Sequence, residues 1–398
     1  MIPSIRAQYN QNFTQEKYQA FLDGLTAQYN KKPLFRVAET PLFIPRILKE
    51  RLLEACDLIN EVVLRPDIKS FTQGALYDES LIVPNEDEHT TFLQMDFGVC
   101  LDDNGDPIPM LIEIQGFPSV YFFQYMVSEA FKNHFEIPEN LTCFFNDITV
   151  DQYKKMMGDI IVGDTEPKHV ILLEIEPEKQ TTYIDMLSTS VELGIPVVCI
   201  TDVIKEGDQL FYKDDSGELV RILKIYNRVI FDELDQRPDL DIAFKFTDNL
   251  DVEWIGHPNW FYRISKYMLP YLKNKYVPDT YFLHELESLP QDLENYVLKP
   301  LFSFAGAGVI IDVTKKDIDK IEDKTNFILQ KKVKYEPIIK SPNEPVKAEI
   351  RMLMMWPKDA PKAFVVTNLV RLSKGKMIGV KYNKDKDWVG GSVGFFEK

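Results

Sequence analysis

The sequence predicts an α/β protein built from α+β lobes, and three observations carry that prediction. A strong hairpin pattern lies near residue 100. A strand–helix–strand pattern follows residue 168. A lysine and a small-residue loop sit between apolar segments near residue 300. The chain has 398 residues, too many for one small core. We divide it into an N-terminal helical and hairpin unit (1–165), a central α/β unit (166–250) and a C-terminal part of two lobes (251–398).

Composition excludes several classes. Net charge is −16, which repels nucleic acid and anionic membranes. No apolar run approaches the ~20 residues that cross a bilayer. The first residues lack the apolar core of a signal peptide, so a cytoplasmic location is expected. The cysteines, Cys56, Cys100, Cys143 and Cys199, show no CxxC spacing and lie among apolar residues. They are expected as buried free thiols.

In chain order, Thr14 to Tyr29 and Ile44 to Leu64 read as helices, with Pro45 in the first turn of the second. Thr91 to Leu101 and Pro109 to Gln115 read as a hairpin around Asp102-Asp103-Asn104-Gly105-Asp106. His169 to Ile175, a helix over Thr181 to Leu193 ended by Gly194, and Ile195 to Ile200 form a parallel βαβ unit. A hairpin at Gln209 to Leu223 and a strand at Ile225 to Phe231 follow. Ile264 to Leu272 reads as a helix, and Tyr296 to Val313 as two strands about a glycine turn. Thr314 to Ile321 is a short helix. Asn326 to Val333, Ala348 to Met355 and Ala363 to Leu372 are strands. The tail from Lys374 to Gly394 reads as loops.

The stretch Leu298-Lys299-Pro300-Leu301-Phe302-Ser303-Phe304-Ala305-Gly306-Ala307-Gly308 is the most informative. Glycines let backbone N–H groups approach a polyphosphate, and a lysine adds a point charge. It is neither a Walker A loop nor a dinucleotide fingerprint. Read alone, it fits a plain hairpin with a solvated lysine equally well. Lys266 upstream, Gln330 and Val333 at the end of the following strand, and Arg351 beyond them set it in an ordered series.

On these residues the chain resembles the ATP-grasp superfamily. In that family one lysine precedes the small lobe and another precedes a mobile glycine-rich loop. Lys266 and Lys299 match those positions, and Ser303, Gly306 and Gly308 match the loop. The resemblance implies bound ATP and Mg²⁺. Asp96, Glu113 and Gln115 in the early hairpin match its metal ligands. Their place ahead of the lysines is similar to the permuted order of the glutathionylspermidine synthetase-like branch. Two positions depart from the pattern: Gln94 stands where the family has Arg, and Gln115 where it has Asn. The hairpin also reads without the family. Glu113 and Gln115 share a face, and oxygen ligands suit magnesium, whereas the plain alternative is a surface hairpin with polar outer residues.

The resemblance implies a Mg-dependent ligase joining a small-molecule carboxylate to an amine through an acyl phosphate. A non-catalytic nucleotide-binding protein is the alternative, favoured by Gln94 and Gln115. Arg351, Arg228 and Arg371 are candidates for stabilising the transferred phosphoryl group or the acyl phosphate. Asn368 is a candidate substrate contact and His257 a loop histidine. Gly390-Gly391-Ser392 is either a flap over the substrate or a turn. No histidine stands in a triad order with Ser or Cys, so hydrolase chemistry is not expected.

Overall fold

The computed structural model describes the chain except residues 304–305, 376–377, 379–382 and 384. Among the described residues the strands form five sheets in a mixed α/β architecture. The largest is an antiparallel sheet of five strands, in the order Gly390–Ser392, Phe364–Ser373, Lys347–Met355, Phe92–Leu101 and Pro107–Gln115. The hairpin forms as the sequence predicts. Asp102 accepts hydrogen bonds from the Asn104 and Asp106 amides at 2.9 Å, and Gly105 takes φ +82°. Strand Phe92–Leu101 is paired along both edges and buried on both faces up to Cys100. Helix Arg46–Val63 packs on strand Pro107–Gln115, and helix Tyr121–His134 packs on strand Phe364–Ser373. The early hairpin and residues 347–373 therefore share one sheet and one core.

The central unit is a parallel sheet in the order Glu253–Ile255, Lys224–Asn227, Val170–Glu174, Val197–Cys199. Helix Tyr183–Leu193 makes the crossover and ends at Gly194, φ +68°. A third sheet, antiparallel, orders Thr280–Phe282, Phe327–Lys331 and Tyr296–Pro300.

Several expectations are corrected. The strand expected at Ile225 to Phe231 ends at Asn227, because Arg228 turns inward to Asp185 and Phe231–Asp235 is helical. The helix expected at Ile264 to Leu272 is instead an α-helix at Pro258–Arg263 followed by a 3₁₀ segment at Lys266–Tyr271. Pro270 lacks the N–H that a continuing α-helix needs. The strand expected to return after the glycine loop reduces to one bridge, Leu298 to Ile310. The expected loop tail holds one strand, Gly390–Ser392, and a second, Gly394–Glu397, begins at its last residue. The parts of that tail at 376–377, 379–382 and 384 lie outside the described residues. The cysteines are free thiols, and Cys199 is partly exposed rather than buried. Helices Pro3–Asn12, Tyr121–His134 and Val150–Ile161 were not anticipated. Among the described residues no helix is long and apolar enough to cross a membrane.

Candidate functional site

Strand alternation puts Gln94 and Asp96 on one face, and sheet register sets Gln115 opposite Gln94 and Glu113 opposite Asp96. The next strand sets Arg351 opposite Asp96, and the one beyond sets Arg371 opposite Glu349. Backbone pairing alone thus lines up carboxylates and guanidiniums across four strands. Arg351 donates to both oxygens of Asp96, at 2.6 and 2.7 Å, and to the Gln94 amide oxygen at 3.0 Å. Arg371 bridges Asp96 and Glu349, and the Tyr335 hydroxyl donates to Glu349 at 2.7 Å. Burial raises the Asp96 carboxyl, but Arg351 and Arg371 outweigh it and hold the group below the usual range. Burial raises Glu349, with Arg371 opposing.

Both lysines reach this face. Lys299, on strand Tyr296–Pro300, donates to the Ile112 carbonyl at 2.9 Å and to the Gln330 amide oxygen at 2.5 Å. Burial lowers its ammonium to about 8, helped by Lys266 and opposed by Glu113. Lys266 donates to the Ser303 carbonyl and stands 3.6 Å from Glu113. In the loop, Gly306 and Gly308 take φ of +73° and +69°. A Cβ at Gly308 would come within 2.8 Å of the Pro300 ring. Phe304 and Ala305, within the expected loop, lie outside the described residues. Val333 falls just past strand Phe327–Lys331 and lies beside Gly98, where a Cβ would meet it at 2.9 Å.

A narrow crevice opens at this junction. Glu113, Gln115 and Lys266 supply its polar lining, and Phe117, Phe261 and Phe302 its apolar lining. Magnesium is commonly held by one or two carboxylates together with water and substrate phosphate. Glu113 and Gln115 fit that role. Asp96 does not, because two arginines occupy both of its oxygens. Among the described residues no three His, Cys, Asp or Glu side chains gather as a metal-binding group.

The other expected residues lie in structural roles. Arg228 is buried at the carboxyl end of the parallel sheet and pairs with Asp185 at 2.8 Å. Asp185 also accepts from the Val120 and Phe123 amides at 3.0 Å, at the start of helix Tyr121–His134. Asn368 accepts from the Gly394 amide at 2.7 Å and donates to its carbonyl at 3.1 Å, so it ties two strands together. His257 accepts from the Asn259 amide and bonds the Pro84 carbonyl at 3.0 Å. It is a buried helix cap rather than an exposed loop residue. Gly390-Gly391-Ser392 is an edge strand covered by residues 36–40, and Ser392 donates to the Thr40 carbonyl at 2.7 Å. It is neither a flap nor a free turn.

Two site residues escape the sequence reading, Tyr335 and Gly98, while Glu349 stands in it only as part of the Glu349-Ile350-Arg351 strand. Period-two alternation from Arg351 points to Glu349. Gly98 makes room for Tyr335 and Val333, where a side chain would collide. The sequence carries no comparable signal for Tyr335.

No protein-family model matches the chain, and no curated protein matches it. Among solved structures it is similar to the apo form of a glutathione synthetase-like effector, GSS30, from Globodera pallida. Identity is 11%, coverage is 96% of each chain, and the TM-score is 0.56. At that identity the likeness is one of fold.

Proposed function

We propose that this chain is an ATP-dependent carboxylate–amine ligase of ATP-grasp type. The observation that carries the reading is the convergence of Lys266 on Glu113 and of Lys299 on the adjacent Ile112 carbonyl, from segments more than 150 residues apart in the chain. An acidic protein that buries two lysines beside one carboxylate has a local site for a polyphosphate. The fold likeness to a glutathione synthetase-like effector supports the same class. The carboxylates preceding the lysines in the chain accord with the permuted glutathionylspermidine synthetase-like order.

Lys299 and Lys266 hold the phosphates, and the small residues Gly306 and Gly308 let backbone approach them closely. A magnesium ion held by Glu113 and Gln115 would neutralise phosphate charge. The substrate carboxylate attacks the γ-phosphorus and ADP departs. An amine then attacks the acyl carbon and phosphate leaves, forming the amide. Such chemistry asks the protein mainly for positioning and charge. Arg371, partly exposed and tethered by Asp96 and Glu349, faces the developing charge. Arg351 acts through Asp96 by fixing the sheet face.

The test is ADP release from Mg-ATP with pooled amino acids and polyamines, alongside thermal shift with Mg-ATP alone. Turnover supports the ligase. Neither shift nor turnover abandons the reading. Binding without turnover supports the second reading, a non-catalytic nucleotide-binding protein. One observation favours that reading: Arg351, Arg371 and Arg228 are all held in ion pairs within the fold.

A further inference from the structure

Phe302 and Ser303 fill, from within, the space in front of Lys266. The Ser303 carbonyl oxygen accepts from the lysine ammonium, which lies beside Glu113. One residue earlier, the Phe302 ring lies 5.1 Å from Tyr77, 5.7 Å from Tyr262 and 6.5 Å from Tyr267. Tyr77 and Tyr267 stack against it, while Tyr262 meets it edge-on. Past Phe302 the crevice is walled by Phe117 and Phe261, which pack edge-to-face at 5.4 Å. Among the described residues the Ser303 hydroxyl is buried without a hydrogen-bond partner. The Phe302 ring itself fills the space between the tyrosines, and the Lys266 ammonium lies beyond it.

We propose that the acid taken by this site carries an aromatic ring, and that Phe302–Ser303 holds its place in the free protein. The inference rests on the ligase reading. The substrate ring takes the slot between the tyrosines, and its carboxylate points toward Lys266, next to the nucleotide phosphates. An aromatic ligand replaces the ring contacts that Phe302 gives up, so its entry leaves no apolar void. A short aliphatic acid satisfies the cation but leaves the tyrosine faces uncovered. An aromatic amine fills the slot but brings a like charge to Lys266.

The test is calorimetric titration of the full chain with 3-phenylpropanoate, propanoate and 3-phenylpropylamine, each with and without Mg-ATP. The expected result is 3-phenylpropanoate binding at least about tenfold more tightly than propanoate, with no measurable binding of the amine. Tyr77 is 64% exposed, so the fold tolerates its truncation. Tyr77→Ala should weaken 3-phenylpropanoate selectively, and Phe302→Ala should strengthen it by removing the internal occupant. Equal affinity for the two acids, or no change in either variant, overturns the proposal. If no acid binds while Mg-ATP still raises the melting temperature, the aromatic-acid inference fails alone. If Mg-ATP has no effect either, the ligase reading falls with it.

Discussion

Arg351 faces Asp96 across paired strands and closes two hydrogen bonds on its carboxylate, at 2.6 and 2.7 Å. Asp96 is 1% exposed, and Arg371 shares it. Removing its charge leaves the Arg351 guanidinium without its carboxylate in the sheet interior, and leaves Arg371 with Glu349 alone. We expect Asp96→Asn to lower stability by about 3–5 kcal/mol. Glu113→Gln, at a partly exposed side chain, should stay within about 1 kcal/mol. Urea denaturation measures both, and equal losses would refute the asymmetry.

Lys299 should make nucleotide binding pH-dependent. Burial lowers its ammonium to about 8. Phosphate attraction is present below that pH and lost as pH rises through it. The linkage to folding has the opposite consequence. An unfolded lysine titrates near ~10.4, so between about 8 and ~10.4 the unfolded chain binds more protons, and this group stabilises the fold as pH rises. Mg-ATP affinity should fall between pH 7 and 9, and Lys299→Arg should flatten the profile. A wild-type profile already flat over that range would remove Lys299 from the phosphate site.

Gly390 should resist substitution. Its φ is +125°, and a Cβ would be driven into the Arg36 carbonyl oxygen. Gly390→Ala is expected to lose at least about 2 kcal/mol. Gly105→Ala, at φ +82° with open space around it, should lose only about 1 kcal/mol. Thermal melts of the two variants separate collision from backbone strain.

Asp185 should matter more than Arg228. Either substitution strands a buried charge, with a loss of about 3–5 kcal/mol. Asp185→Ala also strips the acceptor from the Val120 and Phe123 amides. Its loss should exceed that of Arg228→Met in chemical denaturation. The reverse order would mean that the helix start does not depend on this carboxylate.

The hairpin, the βαβ unit and the two lysines were legible because each rests on local pattern: turn residues, period-two alternation, a lysine before small residues. The partnership of Asp96 with Arg351 was not, since 255 residues separate them and only strand register joins them. The same blindness assigns Asp96 to a metal and Arg228 to a phosphoryl group. A charged side chain on a strand reads alike whether it faces ligand or counter-ion. The glycine edge strand at 390–392 was missed for a related reason. Its pairing and the cover over it come from tertiary neighbours, not from its own propensity.

The five-stranded antiparallel sheet takes strands from residues 92–115 and again from 347–392. On the ribosome, the early hairpin must therefore wait for more than two hundred further residues before its partners emerge. Until then Asp96 has no guanidinium and one flank of the hairpin has no neighbour, an exposed edge that invites mispairing. Such long-range pairing slows folding. Chains cut short before residue 347 should accumulate as aggregates rather than as a smaller folded unit.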